Sequence, residues 1–147
     1  GWCDYINDDG VVISRNRAGR VATWLLAWGP NLIPHPGAVI RLDAIERAGG
    51  FNPVLLYALD LDIFLRLKRF GPLLGIETVA SQFRWHGDSL TVESRARSSA
   101  EAMAVKASHL PPWLSVFSPL WHWPVAWASG IGAYLLGRKA RKASPGK

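Results

Sequence analysis

The chain of 147 residues is 49% hydrophobic, which is enough for one domain with its own core and excludes a disordered polymer. Its formal net charge of +6 suits phosphate groups or an anionic membrane surface without choosing between them. The single cysteine, Cys3, excludes an internal disulfide and argues against cysteine-based redox or metal chemistry. The chain opens with Gly rather than Met and has no charged and apolar leader, so we expect a further N-terminal part to precede it.

Strands and helices are predicted to alternate along the first half of the chain. In order, these are a hairpin at residues 5–13, a helix at 21–28, an extended loop at 31–37, a short strand at 38–42 and a helix at 43–47. The Asp9-Gly10 pair suits the tight turn of the hairpin. Asp43 is predicted to cap the last helix, and Gly49-Gly50 to end it.

The alternation continues in the second half and predicts an α/β layer fold. Residues 60–70 form an apolar helix that Gly71-Pro72 ends, and residues 75–86 alternate like a strand. Residues 89–110 combine good helix formers with mixed charge, which is typical of a surface helix.

Two acids, Asp60 and Asp62, stand one residue apart at the start of the apolar helix. Carboxylates are stabilised there by the helix dipole, by about 0.3–1 kcal/mol each. Asp62 can also pair with Arg66 one turn later. Helix physics alone therefore favours two capping acids. The alternative is a general base, because helix starts at the edge of an α/β sheet are also where ligands bind.

Short motifs around these acids follow one another in a specific order. They are an Asn31-x-Ile-Pro-His35 loop, Gly49-Gly50-Phe51, the Asp60-x-Asp62 helix start and Phe83-Arg84-x-His86-x-x-Ser89. In this order they resemble the C-terminal half of a family 2 glycosyltransferase with a GT-A fold, which is Rossmann-like. The resemblance covers residues 1–106 and implies that they are the acceptor side of such a domain, followed by a tail at 107–147.

The resemblance implies roles for the acceptor side. Asp60 falls on the carboxylate that acts as the catalytic base and deprotonates the acceptor hydroxyl, and Asp62 on the acid that helps to build the acceptor side. His35 and Asn31 would line the acceptor cleft, although a surface-loop histidine explains His35 equally well. Leu59 departs from the family pattern, which often has Glu there, and weakens the case for an acceptor contact at that position.

The resemblance also implies a donor side. His86 matches a histidine that approaches the metal or the donor pyrophosphate, with Arg84 and Ser89 as donors for phosphate oxygens; the alternative for His86 is a loop histidine without a ligand. A divalent metal, Mg²⁺ or Mn²⁺, and the nucleotide-sugar would be held mainly by a segment that precedes Gly1. We therefore expect the chain alone to be inactive.

The tail, residues 107–147, is apolar and rich in tryptophan. Residues 107–137 contain no Lys, Arg, Asp or Glu, and four prolines at 111, 112, 119 and 124 argue against one straight membrane span. An interfacial or re-entrant anchor, a true span and a soluble cap all remain open. The basic residues that follow favour an anionic membrane surface and a peripheral position on the cytoplasmic face. The basic residues form no nucleic-acid reader motif, so no nucleic-acid partner is expected.

The resemblance therefore implies an inverting glycosyltransferase, which moves a sugar from a nucleotide-sugar donor to a hydroxyl acceptor. The acceptor would be a sugar, a lipid-linked molecule or another hydroxyl compound, in the synthesis of cell-surface polysaccharides or glycoconjugates. The alternative from another class is a non-catalytic, membrane-associated interaction module that retains the fold.

Overall fold

A mixed α/β fold with a small three-stranded sheet is present in the computed structural model, which describes residues 1–17, 19–84, 95–117 and 119–143. The strands are β1 (Trp2–Ile6), β2 (Val12–Asn16) and β3 (Val79–Arg84). The helices are α1 (Arg20–Leu25), α2 (Leu42–Arg47), α3 (Leu59–Leu67), α4 (Arg95–His109), α5 (Pro112–Ser115) and α6 (Pro119–Ala143), with a 3₁₀ turn at His35–Gly37.

The sheet has the order β2-β1-β3, with β1 antiparallel to β2 and parallel to β3. The hairpin that joins β1 to β2 is confirmed, and Gly10 adopts a φ of 82° in its turn. The Asn7 side chain stabilises this turn, because its Oδ1 accepts the backbone N–H of Val11 at 2.8 Å. Across the parallel pair, Tyr5 lies opposite Phe83, and their rings meet edge to face at 5.9 Å.

Helix α3 forms the centre of the hydrophobic core. Its buried residues are Leu61, Asp62, Ile63, Phe64, Leu65 and Leu67. Leu26, which follows α1, and Val105 on α4 pack into the same cluster. A helix that is apolar nearly all round must be covered on most sides. The core therefore fixes where the first turn of α3, with its two acids, is presented.

Helix α2 ends before the glycine pair Gly49-Gly50, as predicted. Gly49 and Gly50 have φ values of 83° and 74°, which only glycine adopts readily, and the Gly50 N–H donates to the Ile45 carbonyl at 2.9 Å. The start of α2 differs from the prediction. Arg41 occupies the N-cap position, and Asp43 lies in the first turn, where it pairs with Arg41 at 3.0 Å.

The predicted strand at residues 38–42 is wrong. Ala38 and Arg41 are extended, but no strand pairing among the described residues includes this segment. The Ala38 N–H donates instead to the carbonyl of His35 within the 3₁₀ turn. Val39 is 93% exposed, so the apolar alternation does not correspond to a buried sheet face here.

Helix α4 is more buried than a surface helix. Val105 and Lys106 on its last two turns are each almost fully buried. Helix α6 runs through Pro124, which the sequence predicted to interrupt the tail. No helix within the described ranges is both long enough and apolar enough to cross a membrane.

Candidate functional site

The Asp60 carboxylate lies in the first turn of α3 and is half-buried. Its Oδ1 accepts the backbone N–H of Leu61 at 2.7 Å. Within the described part of the chain, the donor that reaches Oδ2 is Asn31 Nδ2, at a long 3.4 Å. Burial raises the pKa of the Asp60 carboxyl, and the Leu61 N–H and the charge of His35 offset only part of this effect. Oδ1 is thus held by the Leu61 N–H, and Oδ2 can accept a hydrogen bond from a further donor.

Asn31 and His35 come to Asp60 from the proline-rich loop before α2. The Asn31 Oδ1 accepts the N–H of Ile33 at 3.2 Å, and this turn orients the Asn31 amide so that its Nδ2 faces Asp60. The centroid of the His35 ring lies 6.2 Å from that of Phe51 and 6.3 Å from that of Phe64. The structure therefore brings together the predicted base and the two loop residues predicted beside it.

Asp62, two residues further on, is placed very differently. Its Oδ2 accepts two hydrogen bonds from Arg66, at 3.0 Å from Nε and 2.6 Å from Nη2, and its Oδ1 lies 3.0 Å from His109 Nε2. Burial opposes ionisation of Asp62, but the bonds from His109 and Arg66 outweigh it and lower the pKa of the carboxyl. Both oxygens of Asp62 are thus engaged within the protein: Oδ2 by Arg66 on the same helix, and Oδ1 by His109 on α4.

Arg66 extends this network to the end of α2. Its Nη1 donates to the carbonyl of Gly50 at 2.7 Å and also to the carbonyl of Ala48. The carbonyls that the left-handed glycine turn leaves free are therefore bound by the same guanidinium that holds Asp62. This arrangement fixes the turn that carries Phe51 next to His35.

Sequence reasoning missed the side chain that holds the first turn of α3 in place. Glu101 on α4 accepts the backbone N–H groups of Tyr57 and Ala58 through Oε1, each at 2.7 Å, and that of Leu56 through Oε2 at 3.3 Å. Ala58 is the N-cap residue of α3 and offers no side-chain cap. The sequence offers no local signal for this contact, because Glu101 is more than 40 positions from the segment it binds.

No protein-family model, curated protein or solved structure matches this chain. The geometry of the described residues therefore carries the functional argument. Of the predicted donor-side residues, His86 and Ser89 lie outside the described residues. Arg84 donates from Nη1 to the carbonyls of Asn7 and Asp8, at 2.9 and 2.6 Å, and so braces the hairpin turn.

The described residues do not form a metal site. Among them, no group of three or more His, Cys, Asp or Glu side chains is arranged to hold an ion. Asp4, the buried acid on β1, is paired with Arg15 at 2.6 Å and 2.9 Å. The divalent cation predicted from the sequence thus has no set of ligands in this part of the chain.

A cavity of about 680 Å³ is lined in part by residues 37–41, which follow His35. It is lined mostly by apolar residues, including Ile33, Phe64, Leu67 and Phe70, with Arg47 among the polar ones. Neither Asp60 nor Asn31 lines it. We place the candidate site at Asp60 because the open carboxylate oxygen, rather than the larger cavity, provides a group that can accept a proton.

Proposed function

We propose that this chain is the acceptor side of a family 2-like, inverting glycosyltransferase, with Asp60 as its general base. The observation that carries the proposal is the contrast between the two neighbouring acids. Asp62 uses both oxygens within the protein, whereas the donor that reaches Asp60 Oδ2 within the described residues, Asn31, is a long 3.4 Å away. The raised pKa of Asp60 supports the same role, because a more basic carboxylate accepts a proton more readily.

In this proposal, an acceptor hydroxyl donates a hydrogen bond to Asp60 Oδ2. As the hydroxyl oxygen attacks the anomeric carbon of a nucleotide-sugar, its proton passes to Asp60, the bond from that carbon to the nucleoside diphosphate breaks, and the diphosphate leaves with the electron pair. Asn31 and His35 flank the open oxygen and position the acceptor. Asp62 positions α3 through Arg66 and His109.

The donor and the divalent cation, Mg²⁺ or Mn²⁺, enter no step that the described residues perform. The step assigned to this chain is proton removal, for which Asp60 is the required group. The acceptor is a hydroxyl compound, and a sugar or a lipid-linked molecule both satisfy this chemistry. We further propose that transfer takes place at the cytoplasmic face of a membrane.

The test is the Asp60→Asn variant of the full-length protein. The assay measures the nucleoside diphosphate released from UDP-, GDP- and dTDP-sugars in the presence of hydroxyl acceptors. Asparagine keeps the size of the side chain but cannot take the proton, so transfer should fall by about 100-fold or more. Binding of the nucleotide-sugar, measured by calorimetry, should be unchanged.

Asp43→Asn is the matched control, because Asp43 is also in the first turn of a helix but is exposed and paired with Arg41. It should transfer sugar at the rate of the parent. Transfer by Asp60→Asn near the parent rate would contradict the assignment of the base. A parent protein that transfers sugar from none of these donors would count against glycosyl transfer itself.

A further inference from the structure

One face of α6 carries a stripe of exposed apolar side chains, and further exposed apolar residues precede it in the tail. On α6 the stripe consists of Leu120, Trp123, Trp127, Ile131 and Tyr134, which are 74%, 70%, 70%, 50% and 55% exposed. At 3.6 residues per turn these positions fall within an arc of about 80°. Trp113 and Phe117, which are 70% and 54% exposed, precede them. We call these seven residues the outer stripe.

The inner side of α6 is already used by the fold. The ring of Trp121 packs on that of Trp28 at 5.7 Å, and α6 contacts β2. The orientation of α6 is therefore set by its contacts with the domain, and these contacts leave the outer stripe exposed. Large contiguous apolar surfaces on a folded domain mark contacts with another protein or with a membrane.

The charges of the tail favour the membrane. No Asp or Glu follows Glu101 in the sequence. Arg138, which is exposed, continues the outer stripe one turn beyond Tyr134, and Lys139, about 100° further round the helix, is exposed as well. A row of tryptophans that ends in cations matches the boundary of an anionic bilayer, where indole rings lie among the headgroups and cations contact phosphates.

Four residues of the outer stripe also line a groove of about 490 Å³. It lies between α4 and α6 and is lined by Met103, Trp123, Trp127 and Tyr134, among others. Aromatic grooves also bind saccharides, but a saccharide needs many polar partners. Apart from the indole N–H groups, the groove offers the hydroxyls of Ser99 and Tyr134, so its chemistry suits acyl chains better.

We propose that α5 and α6 dock this chain on an anionic lipid bilayer. The outer stripe inserts among the headgroups and upper acyl chains, and Arg138 and Lys139 contact lipid phosphates. The inner side of α6 stays packed on the domain. This inference does not depend on sugar transfer, because it rests on the exposed surface of the tail alone.

The test is co-sedimentation of the full chain with phosphatidylcholine vesicles that contain phosphatidylglycerol. Vesicles of phosphatidylcholine alone serve for comparison, with both at low ionic strength. The parent should partition onto the anionic vesicles at least about 10-fold more strongly, and salt should weaken this binding. The double variant Trp123→Ser/Trp127→Ser should lose about 10-fold or more of its partitioning. Arg138→Gln/Lys139→Gln should lose the preference for anionic vesicles.

Two matched controls separate the outer stripe from general effects. Trp24→Ser removes a tryptophan that is 69% exposed on α1, outside the stripe, and should bind vesicles like the parent. Arg20→Gln/Arg47→Gln removes two exposed cations outside the tail and should keep the anionic preference. Circular dichroism and thermal unfolding of every variant establish that the fold is intact, as expected for exposed positions.

Three results would overturn the proposal. The first is equal binding of the parent to both kinds of vesicle, and the second is unchanged binding by Trp123→Ser/Trp127→Ser. The third is a dimer in sedimentation velocity without vesicles that Trp123→Ser/Trp127→Ser converts to a monomer while vesicle binding persists. That result would assign the outer stripe to a second copy of the chain.

Discussion

Asp60 and Asp62 show how strongly the surroundings of one residue decide its chemistry. They are separated by one position in the first turns of α3, yet burial raises the pKa of Asp60, while the bonds of His109 and Arg66 overcome burial and lower that of Asp62. The sequence predicted the pair between Asp62 and Arg66 from their spacing, and the structure confirms it at 2.6 Å. The bond to His109 joins residues 47 positions apart and has no local sequence signal.

Lys106 is a second residue whose surroundings the sequence did not predict. It is 5% exposed on α4, and its Nζ donates to the carbonyl of Gly29. Burial lowers the pKa of Lys106 to about 8. Because this value lies below that of the unfolded chain, burying the charge costs stability in full below about pH 8. That cost disappears as the pH rises towards 10.5, the unfolded value.

The Lys106→Met variant tests this coupling between pH and stability. Relative to the variant, the free energy of unfolding of the parent should rise between pH 8 and pH 10.5, measured by urea denaturation. Lys68→Met is the matched control, because Lys68 also donates to a backbone carbonyl, that of Thr23, but is exposed. Its difference from the parent should not change over this range. A constant difference for Lys106→Met would contradict the burial of a charged lysine.

At the scale of elements, α3 depends on α4 for its first turn. The Glu101 carboxylate accepts hydrogen bonds from the backbone N–H groups of residues 56–58, and Asp60 lies two residues after this segment. The sequence predicted α3 from its apolar pattern, which is a local property, but placed its end at Gly71-Pro72, whereas the helix ends at Leu67. It did not predict the cap, because Glu101 lies more than 40 positions away in a helix whose mixed charge indicated only solvent exposure.

Removing the cap should destabilise the protein measurably. Glu101→Ala leaves the N–H groups of residues 56–58, just before α3, without their partner, and we expect a loss of about 2 kcal/mol in the free energy of unfolding. Glu101→Gln should lose less, because one amide oxygen in the place of Oε1 keeps the bonds to Tyr57 and Ala58. Urea denaturation measures both.

Glu46→Ala on α2 is the control for this comparison, since Glu46 is exposed at a helical position and should have a small effect. If Glu101→Ala were as stable as Glu46→Ala, the cap would contribute nothing to folding. In that case the position of Asp60 would have to be fixed by the core side of α3 alone.

At the scale of the whole molecule, the patterns that are local in sequence were predicted and those that join distant segments were not. The β1–β2 hairpin followed from a turn at Asp9-Gly10. The parallel pairing of β1 with β3 joins residues more than 70 positions apart, and no short pattern specifies it. Residues 38–42 were predicted as a strand from their composition, but a strand also needs a partner, and the 3₁₀ turn before them directs the chain elsewhere.

In the candidate site, too, the sequence predicted some features, while others depend on contacts between distant segments. Asn31, His35 and Asp60 were predicted together from the order of their motifs, and the structure brings them together. Whether Asp60 or Asp62 keeps an open oxygen depends on Arg66 and His109, which only the packing of α3 against α4 and the end of α2 decides. The boundary between the 1–106 domain and the tail stays a prediction.

The most direct test of the central claim, that Asp60 accepts the acceptor proton, is the pH dependence of sugar transfer by the full-length protein. Asp60 must be ionised to act, so kcat/KM should fall as the pH is lowered through a pKa above the usual value for Asp. The pKa values of Asp62 and Glu101 are lowered by their hydrogen bonds despite burial, so their stabilising contributions are lost only at more acidic pH. We predict this acidic fall in the parent and in Asp43→Asn; a kcat/KM that stays constant until the protein unfolds would contradict the account.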